Sequence, residues 1–425
     1  MQESKPLSLR RNFSWTFIGN AVYAASQWGM LVVFAKLGSP EMVGQFTLGL
    51  AITAPIVLLT NLQLRGVQVT DTKQEYLFSD YFGLRIISTG LALLLIAIIT
   101  YLAGYSRETS LVILVIGLAK AVESISDVFH GLIQQQERMD RIAISLMIKG
   151  PLSLLFLCIG VYLSKSVFWG GLGLVFAWTI VLIAYDIRSV NFILRRFHKE
   201  NIKGLTIKPR WHLETLRKLV WLCLPLGFVM MLISLNTNIP RYFIEQYLGE
   251  RELGIYAALA YLIVAGNMVV KSLGQSASPK LAKYYATGNS KGFRRLLLQL
   301  VGIAIILGSA GFIAAVFAGK QILTLLYQYQ YAQYTNLFVL LMVAGGMNYI
   351  SSFLGYGITS ARYFRIQMPL FLAVTTTSAI ACLWLLPKFG LLGAAFALVI
   401  SSFVQIACSL GVIVHALSKL NNYSK

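Results

Sequence analysis

Along this chain apolar residues gather into runs of about twenty, separated by polar breaks. A helix that crosses the hydrocarbon core needs roughly 20 mostly apolar residues, so each run predicts a membrane span. Spans are expected near 13–35, 43–64, 82–104, 110–133, 142–163 and 168–193. After a long polar break, further spans are expected near 219–240, 252–275, 296–318, 335–358, 366–386 and 391–416. The pattern predicts an all-α polytopic membrane protein of about 12 transmembrane helices. The first run is about as long as a full span and lacks a small-residue cleavage site, so it reads as helix one and not as a cleaved leader.

The longest polar break carries Arg195, Arg196, Lys199, Lys203, Lys208, Arg210, Arg217 and Lys218. It divides the chain into a six-helix half at 1–194, a basic linker at 195–218 and a second six-helix half at 219–425. Within it, residues 211–221 present one apolar and one basic face. That segment suits either an anionic leaflet surface or an ordinary stop-transfer anchor. If the N-terminus is cytoplasmic, the outside loops hold only Lys36, Arg107, Lys165, Arg241, Arg251, Lys320 and Lys388, a small share of the 36 Lys and Arg. Cytoplasmic loops carry the basic excess in membrane proteins, so both termini are expected in the cytoplasm.

The two halves share a weak internal repeat. Phe129, Gly131, Arg138, Arg141 and Ile142 are spaced like Phe353, Gly355, Arg362, Arg365 and Ile366. Gly170, Leu172, Gly173, Phe176 and Ala177 match Gly390, Leu392, Gly393, Phe396 and Ala397. With one gap, Leu37, Gly38, Glu41, Gly44 and Phe46 resemble Leu248, Gly249, Glu252, Gly254 and Tyr256. The matches keep their order and fall at equivalent spans. Because each half has an even number of spans, the copies run parallel, related by an axis along the membrane normal.

Composition removes several classes of function. Of the residues, 57% are hydrophobic and 12% charged, against roughly 25% charged in soluble domains. Mean hydropathy is +0.70. A net charge of +20 in a soluble chain would suggest nucleic acid, but the apolar runs leave no room for a basic groove domain, and no nucleic-acid partner is expected. Cys158, Cys223, Cys382 and Cys408 each lie in an apolar run and none forms a CxxC pair, so no metal or redox centre is expected. The sequence holds no P-loop, no HExxH and no nucleophile elbow. The chain is therefore not expected to be an enzyme or to use a cofactor, beyond a coupling H+ or Na+. Active transport would draw on an ion gradient or on the substrate's own gradient.

Charges inside spans are the sharpest chemical signal, since a charge at bilayer depth usually faces a cavity or a partner. Lys120, Glu123, Asp127 and His130 recur at steps of three, four and three along the fourth span, which puts them on one helical stripe. Glu123, Asp127 and His130 are candidate ion-coupling groups. Lys120 paired with Glu123 could also be an internal ion pair that fixes packing, and His130 could be a solvated interfacial residue. Arg65, Arg85 and Lys149 lie in the same half. With Lys120 they could line an inward-facing basic vestibule suited to a phosphate or diphosphate, although snorkelling to the interface is the favoured reading for Arg65 and Arg85. In the second half Lys271 follows Asn267 by one turn, and Asn236 and Asn238 precede Pro240. Such groups bind sugar hydroxyls or hold helices together; Asn20 and Gln27 are open to the same two readings.

The opening LRRNFSWTFIGN, the following LGSPEMVGQFTLGLAITAP, the fourth-span stretch AKAVESISDVFHGLIQQQERMDRIAIS and the late PKFGLLGAAFAL carry a family resemblance over nearly the whole chain. The sequence resembles the polysaccharide flippases, of the O-antigen or Wzx type, of the multidrug/oligosaccharidyl-lipid/polysaccharide (MOP) exporter superfamily, whose folds are MATE-like. The resemblance implies two six-helix bundles arranged as a V. It implies transfer of an undecaprenyl-diphosphate-linked oligosaccharide across the bacterial inner membrane, coupled to a proton or sodium gradient. Lys120, Glu123 and Asp127 would then line the N-terminal lobe, with membrane lipids and polysaccharide polymerase machinery as further partners. Lipid II flippases of that superfamily carry fourteen helices against the 12 expected here. Two rivals remain. An ion-coupled multidrug exporter of the same fold is disfavoured by the buried cations. A membrane polymerase or ligase is disfavoured by the short outside loops, the longest being 319–334.

Overall fold

The computed structural model describes residues 9–71, 75–199, 207–363 and 365–423, and these contain helices and no strand. The first half holds α1 (Leu9–Leu37), α2 (Pro40–Asn61), α3 (Leu64–Thr70), α4 (Phe78–Ala103), α5 (Arg107–Gln135), α6 (Met139–Ser164), α7 (Val167–Val181) and α8 (Ile187–Lys199). A π-helical turn, Leu182–Asp186, joins α7 to α8. The second half holds α9 (Leu213–Leu248), α10 (Glu250–Tyr261), α11 (Ile263–Ala286), α12 (Ser290–Leu326), α13 (Thr335–Ser360), α14 (Gln367–Phe389) and α15 (Leu391–Tyr423).

Among the described residues ten helical stretches are long and apolar enough to cross a bilayer, and the α10–α11 pair makes an eleventh. The remaining expected span is α5, a 29-residue helix interrupted by Lys120, Glu123 and Asp127. The span expected at 252–275 differs from a single rod: α10 and α11 meet at a bend of 40°. A side chain explains the break. The Tyr327 hydroxyl donates to the carbonyl of Ala258 (2.7 Å), and the Leu262 N–H, which would bond that oxygen in a regular helix, turns to Leu259 O (3.2 Å) instead. Large apolar side chains such as Leu91, Leu94, Ile306 and Phe317 stand exposed along α4 and α12, as lipid-facing helices require.

The chain forms two compact units. One comprises Met1–Gly38 and Gln45–Ser234, the other Ser39–Gly44 and Leu235–Lys425. The boundary thus falls inside α9 rather than at the expected linker end, residue 218. At 36 residues α9 is about 54 Å long, and its first turns bury Leu216, Leu219 and Cys223 against Leu62, Leu64, Tyr81 and Leu84 of the first unit. Of the expected linker, Lys203 and the side chains of Arg195, Arg196 and Lys199 lie outside the described residues. Arg210 is held against α4: its backbone N–H donates to Ser79 O (3.0 Å), and its guanidinium lies 3.8 Å from Asp80.

The helix pairings repeat between the units. In the first, α4 packs on α5, α5 on α7 and α6 on α7; in the second, α12 packs on α13, α13 on α15 and α14 on α15. The repeat-matched Phe129 and Phe353 are both fully buried. Gly44 and Gly254, also matched in sequence, show the reason for their identity. A Cβ on Gly44 would sit 1.8 Å from the carbonyl oxygen of Glu250, and one on Gly254 would sit 1.8 Å from that of Pro40. Pro40 and Glu250 begin α2 and α10, so the two helix starts cross backbone to backbone in a reciprocal contact that only glycine permits.

Candidate functional site: the polar interior of the first unit

Two backbone irregularities shape this site. Between α2 and α3, Leu62 and Gln63 take left-handed conformations (φ 53° and 51°), which ordinary side chains rarely adopt. The break ends α2 at Asn61 and redirects the chain so that Arg65 faces α5. The second is the π-helical turn, whose last residue, Asp186, is completely buried. In a membrane, irregular backbone survives where protein buries it or where it borders a cavity.

The α5 stripe becomes three couplings. At its outer position Lys120 Nζ donates to Glu123 Oε2 (2.7 Å). The other oxygen of Glu123 accepts from the Tyr23 hydroxyl (2.8 Å), and Lys120 lies 5.3 Å from the centre of the Trp178 ring. One turn on, Asp127 bridges two arginines, each 3.2 Å away: Arg65 at one oxygen and Arg85 at the other. Arg65 also donates to Gln134 (2.9 Å), and Arg85 also donates to Asn61. Asp127 is about a third exposed, whereas Arg85 is fully buried.

The third coupling is a closed network. His130 Nε2 stands 3.3 Å from Asp186 Oδ1 and 3.3 Å from Ser145. The Ser145 hydroxyl donates to Asp186 (2.6 Å), and Ser126 donates to its other oxygen. Lys149 donates to Ser126 (2.9 Å) and pairs with Asp186 at 3.8 Å. This network pins α5, α6 and the π-helical turn together. His130 is therefore a buried partner of a carboxylate, not a solvated interfacial residue.

A cavity of about 390 Å³ opens beside the first two couplings. Asn61, Gln63, Lys120, Glu123, Ser124 and Asp127 supply its polar lining, and Ala54, Val57, Leu58 and Met230 its apolar lining. Of the four cations expected to form a basic vestibule, Lys120 lines it. Arg65 is half-buried and reaches it through Asp127, while Arg85 and Lys149 are buried behind it, engaged by Asp127 and Asp186. The interior thus holds Arg65, Arg85, Lys120 and Lys149 against Glu123, Asp127 and Asp186, an excess of one cationic side chain over acidic ones, His130 left out of the count. The described residues contain no cluster of His, Cys, Asp and Glu able to hold a metal.

In the second unit, Lys271 on α11 is exposed and Asn267 is half-buried. Their side chains join no polar cluster among the described residues. The Oδ1 atom of Asn236 is buried without a partner, and Asn238 accepts from Arg241 (3.1 Å). Asn20 turns back on its own helix to donate to Thr16 O (2.8 Å), and the amide nitrogen of Gln27 is buried without a partner.

Sequence reasoning did not identify Asp186, Tyr23, Asn61 or Gln134. Asp186 carries a usable signal, a lone acid inside the apolar run 168–193. Tyr23 and Asn61 carry none, because a single phenol or amide in a span is unremarkable until its partner is known.

Comparison with known proteins adds the following. Residues 9–285 match the family model described as polysaccharide biosynthesis protein. The chain is 30% identical over 398 residues to the capsular polysaccharide biosynthesis protein CapF of Staphylococcus aureus, covering 93% of this chain and 97% of that protein. Among solved structures it is similar to an inward-facing multidrug resistance MATE family transporter of the MOP superfamily, with TM-score 0.74, 11% identity and coverage of 96% and 100% of the two chains. It is also similar to the lipid II flippase MurJ in an inward closed conformation, with TM-score 0.73, 12% identity and coverage of 96% and 89%. At these identities the structural likeness speaks to the fold: the chain has a MATE-like membrane-transporter fold.

Proposed function

The chain belongs to the family of polysaccharide biosynthesis proteins, and on that footing we propose that it is a flippase for lipid-linked oligosaccharide. Its substrate is an oligosaccharide repeat unit on undecaprenyl diphosphate. It carries that unit from the cytoplasmic to the outer leaflet of the bacterial inner membrane by alternating access, with both termini in the cytoplasm. The observation that carries this reading is the cavity of the first unit, which presents Lys120 with its carboxylate partner beside an interior holding one cationic side chain more than acidic ones.

Lys120 is the anchoring cation for the diphosphate, with Arg65 within reach through Asp127. Arg85 and Lys149 act from behind, setting the field of the cavity rather than touching substrate. In the second unit Lys271 and Asn267 are assigned to the sugar and phosphate path on their sequence pattern alone. A bound proton or sodium ion on Glu123 or Asp127 neutralises the carboxylate and releases its basic partner. The charge of the cavity then changes by one unit between the two halves of the cycle, which is the coupling step. His130, tied to Asp186, transmits a change on α5 to α6 and the π-helical turn. No bond of the substrate is made or broken, so the protein is a carrier and not an enzyme. Polysaccharide polymerase machinery would act on the product at the outer leaflet.

Deleting the gene in its native host and following surface polysaccharide with its lipid-linked intermediates tests the reading. The expected result is loss of the polymer with repeat units held on the cytoplasmic leaflet. Unchanged polymer with altered drug resistance would overturn it in favour of an exporter of the same fold.

A further inference from the structure

A second cavity, of about 350 Å³, lies wholly in the second unit, where the end of α9, the start of α13 and the turn between α14 and α15 converge. Its polar lining is Glu252, Gln333, Tyr334 and Asn336, and Phe389 and Gly390 form part of its wall. We propose that this cavity is a saccharide-binding subsite at the outer end of the second unit, taking an uncharged sugar ring of the transported glycan. The proposal rests on the flippase reading for its biological substrate, though not for its chemistry.

Three observations select sugar over other ligands. The first is the arrangement of hydrogen-bonding groups. The Tyr334 hydroxyl leans on Glu252 Oε1 at 3.4 Å, and Gln333 lies beside that hydroxyl. The other Glu252 oxygen remains an open acceptor, and the Asn336 carboxamide makes no hydrogen bond among the described residues. An acceptor carboxylate and a free carboxamide, which both donates and accepts, match the paired hydroxyls of a pyranose. The second is the Phe389 ring. It is about half exposed, yet held edge-on against Phe396 with centroids 6.1 Å apart. A fixed, accessible ring is a platform for the apolar face of a sugar.

The third observation is charge. Arg251, the nearby cation, pairs with Glu41 at 3.6 Å. Among the residues that line the cavity the charged one is Glu252, an acid, so the lining disfavours phosphate. The cavity of the first unit has the opposite character, with a lysine in its wall. The two cavities therefore suit different parts of one molecule, the diphosphate and the glycan. The size fits as well, since ligand pockets run from roughly 300 to 1,000 Å³. The end of the unit is the one that the loop charges assign to the outside, where Lys320 and Lys388 are the sparse basic residues. A site there holds the glycan on the side of release.

The test is saturation-transfer NMR on the full chain in detergent micelles, with free glucose, galactose and N-acetylglucosamine as probes and inorganic pyrophosphate as the charged control. At least one sugar is expected to receive saturation, and N336A and F389A are each expected to weaken its binding about tenfold, the loss of one good set of contacts. Both side chains are exposed, so folding should be unaffected, which the melting temperature checks. No binding by any of the three sugars, sugar binding unchanged in the N336A/F389A double variant, or pyrophosphate binding that these substitutions abolish would each overturn the proposal. The flippase reading fails separately: if deleting the gene leaves the surface polymer unchanged while the sugar still binds through Asn336 and Phe389, the subsite stands and the flippase reading falls.

Discussion

Replacing Asp186 by Asn tests whether the buried network is an ionic lock of the first unit. The carboxylate is fully buried and faces Lys149, which is 2% exposed. Removing one member of a buried pair leaves the other charge without compensation, at a cost of about 3–5 kcal/mol. The amide can still accept from Ser145, but Ser126 and His130 lose a charged acceptor, each at about 1 kcal/mol or more. These losses overlap, so a total near 4 kcal/mol is expected, a large fraction of a typical stability of roughly 5–15 kcal/mol. The assay is equilibrium unfolding in mixed micelles, run as a double-mutant cycle with Lys149→Met. The double variant removes both charges at once and should recover at least half of the loss, because no lone charge stays buried. If Asp186→Asn costs less than about 1 kcal/mol, or if Lys149→Met fails to rescue it, the pair is not an ionic lock.

Lys120→Ala and Glu123→Gln are each expected to abolish polymer export while membrane insertion stays normal; normal export by either variant, scored on surface polysaccharide, would reduce the 2.7 Å pair to a packing contact. Arg85→Met should destabilise the protein far more than Arg65→Met, since Arg85 is fully buried while Arg65 is about 29% exposed, and unfolding midpoints in micelles would rank them. Gly254→Ala should cost about 1–3 kcal/mol or more, because its methyl would meet the Pro40 carbonyl at 1.8 Å, and Gly44→Ala should behave alike. Equal stability of either variant to the parent would refute the close crossing.

Much of the architecture was legible in the sequence because a bilayer leaves so little choice. Apolar runs of about twenty residues located nearly every helix, since spanning length and backbone satisfaction together admit only that solution. The repeat was legible where geometry forbids substitution, as at Gly44 and Gly254, and where the core demands bulk, as at Phe129 and Phe353. The bend between α10 and α11 was not legible. No Gly or Pro stands at Leu262, and the agent, Tyr327, lies far off in sequence at the end of α12. The site was half legible. Spacing along α5 placed Lys120, Glu123, Asp127 and His130 on one stripe, because helical periodicity is a local property; the first three line the cavity, whereas His130 turns into the buried network. Their partners were beyond its reach. Nothing local tells that Asp127 meets Arg65 and Arg85 while Glu123 meets Lys120, since those choices are made by how α3, α4 and α1 lie against α5.

The places where local reasoning stopped are also the places where the backbone departs from regular helix. Leu62 and Gln63 interrupt the path from α2 to α3, and Asn61 and Gln63, beside that break, line the first cavity. The π-helical turn carries Asp186 inward to the one position from which it meets α5 and α6 together. Each departure leaves backbone groups outside the regular ladder, which a lipid-facing helix could not tolerate, and each is accepted because it faces protein or cavity. Burying Arg85, Lys149 and Asp186 in a single unit likewise costs more than an apolar core would. A scaffold needing only to span the bilayer would have no use for either expense. Both fall in the same interior, around the same helix, and the Lys120–Glu123 pair with Asp127 remains open to the cavity while the Asp186 network is sealed behind it. That division, an accessible charged face braced by a sealed network, is what the proposed carrier needs: a site whose charge can change, on a body that keeps its shape when it does.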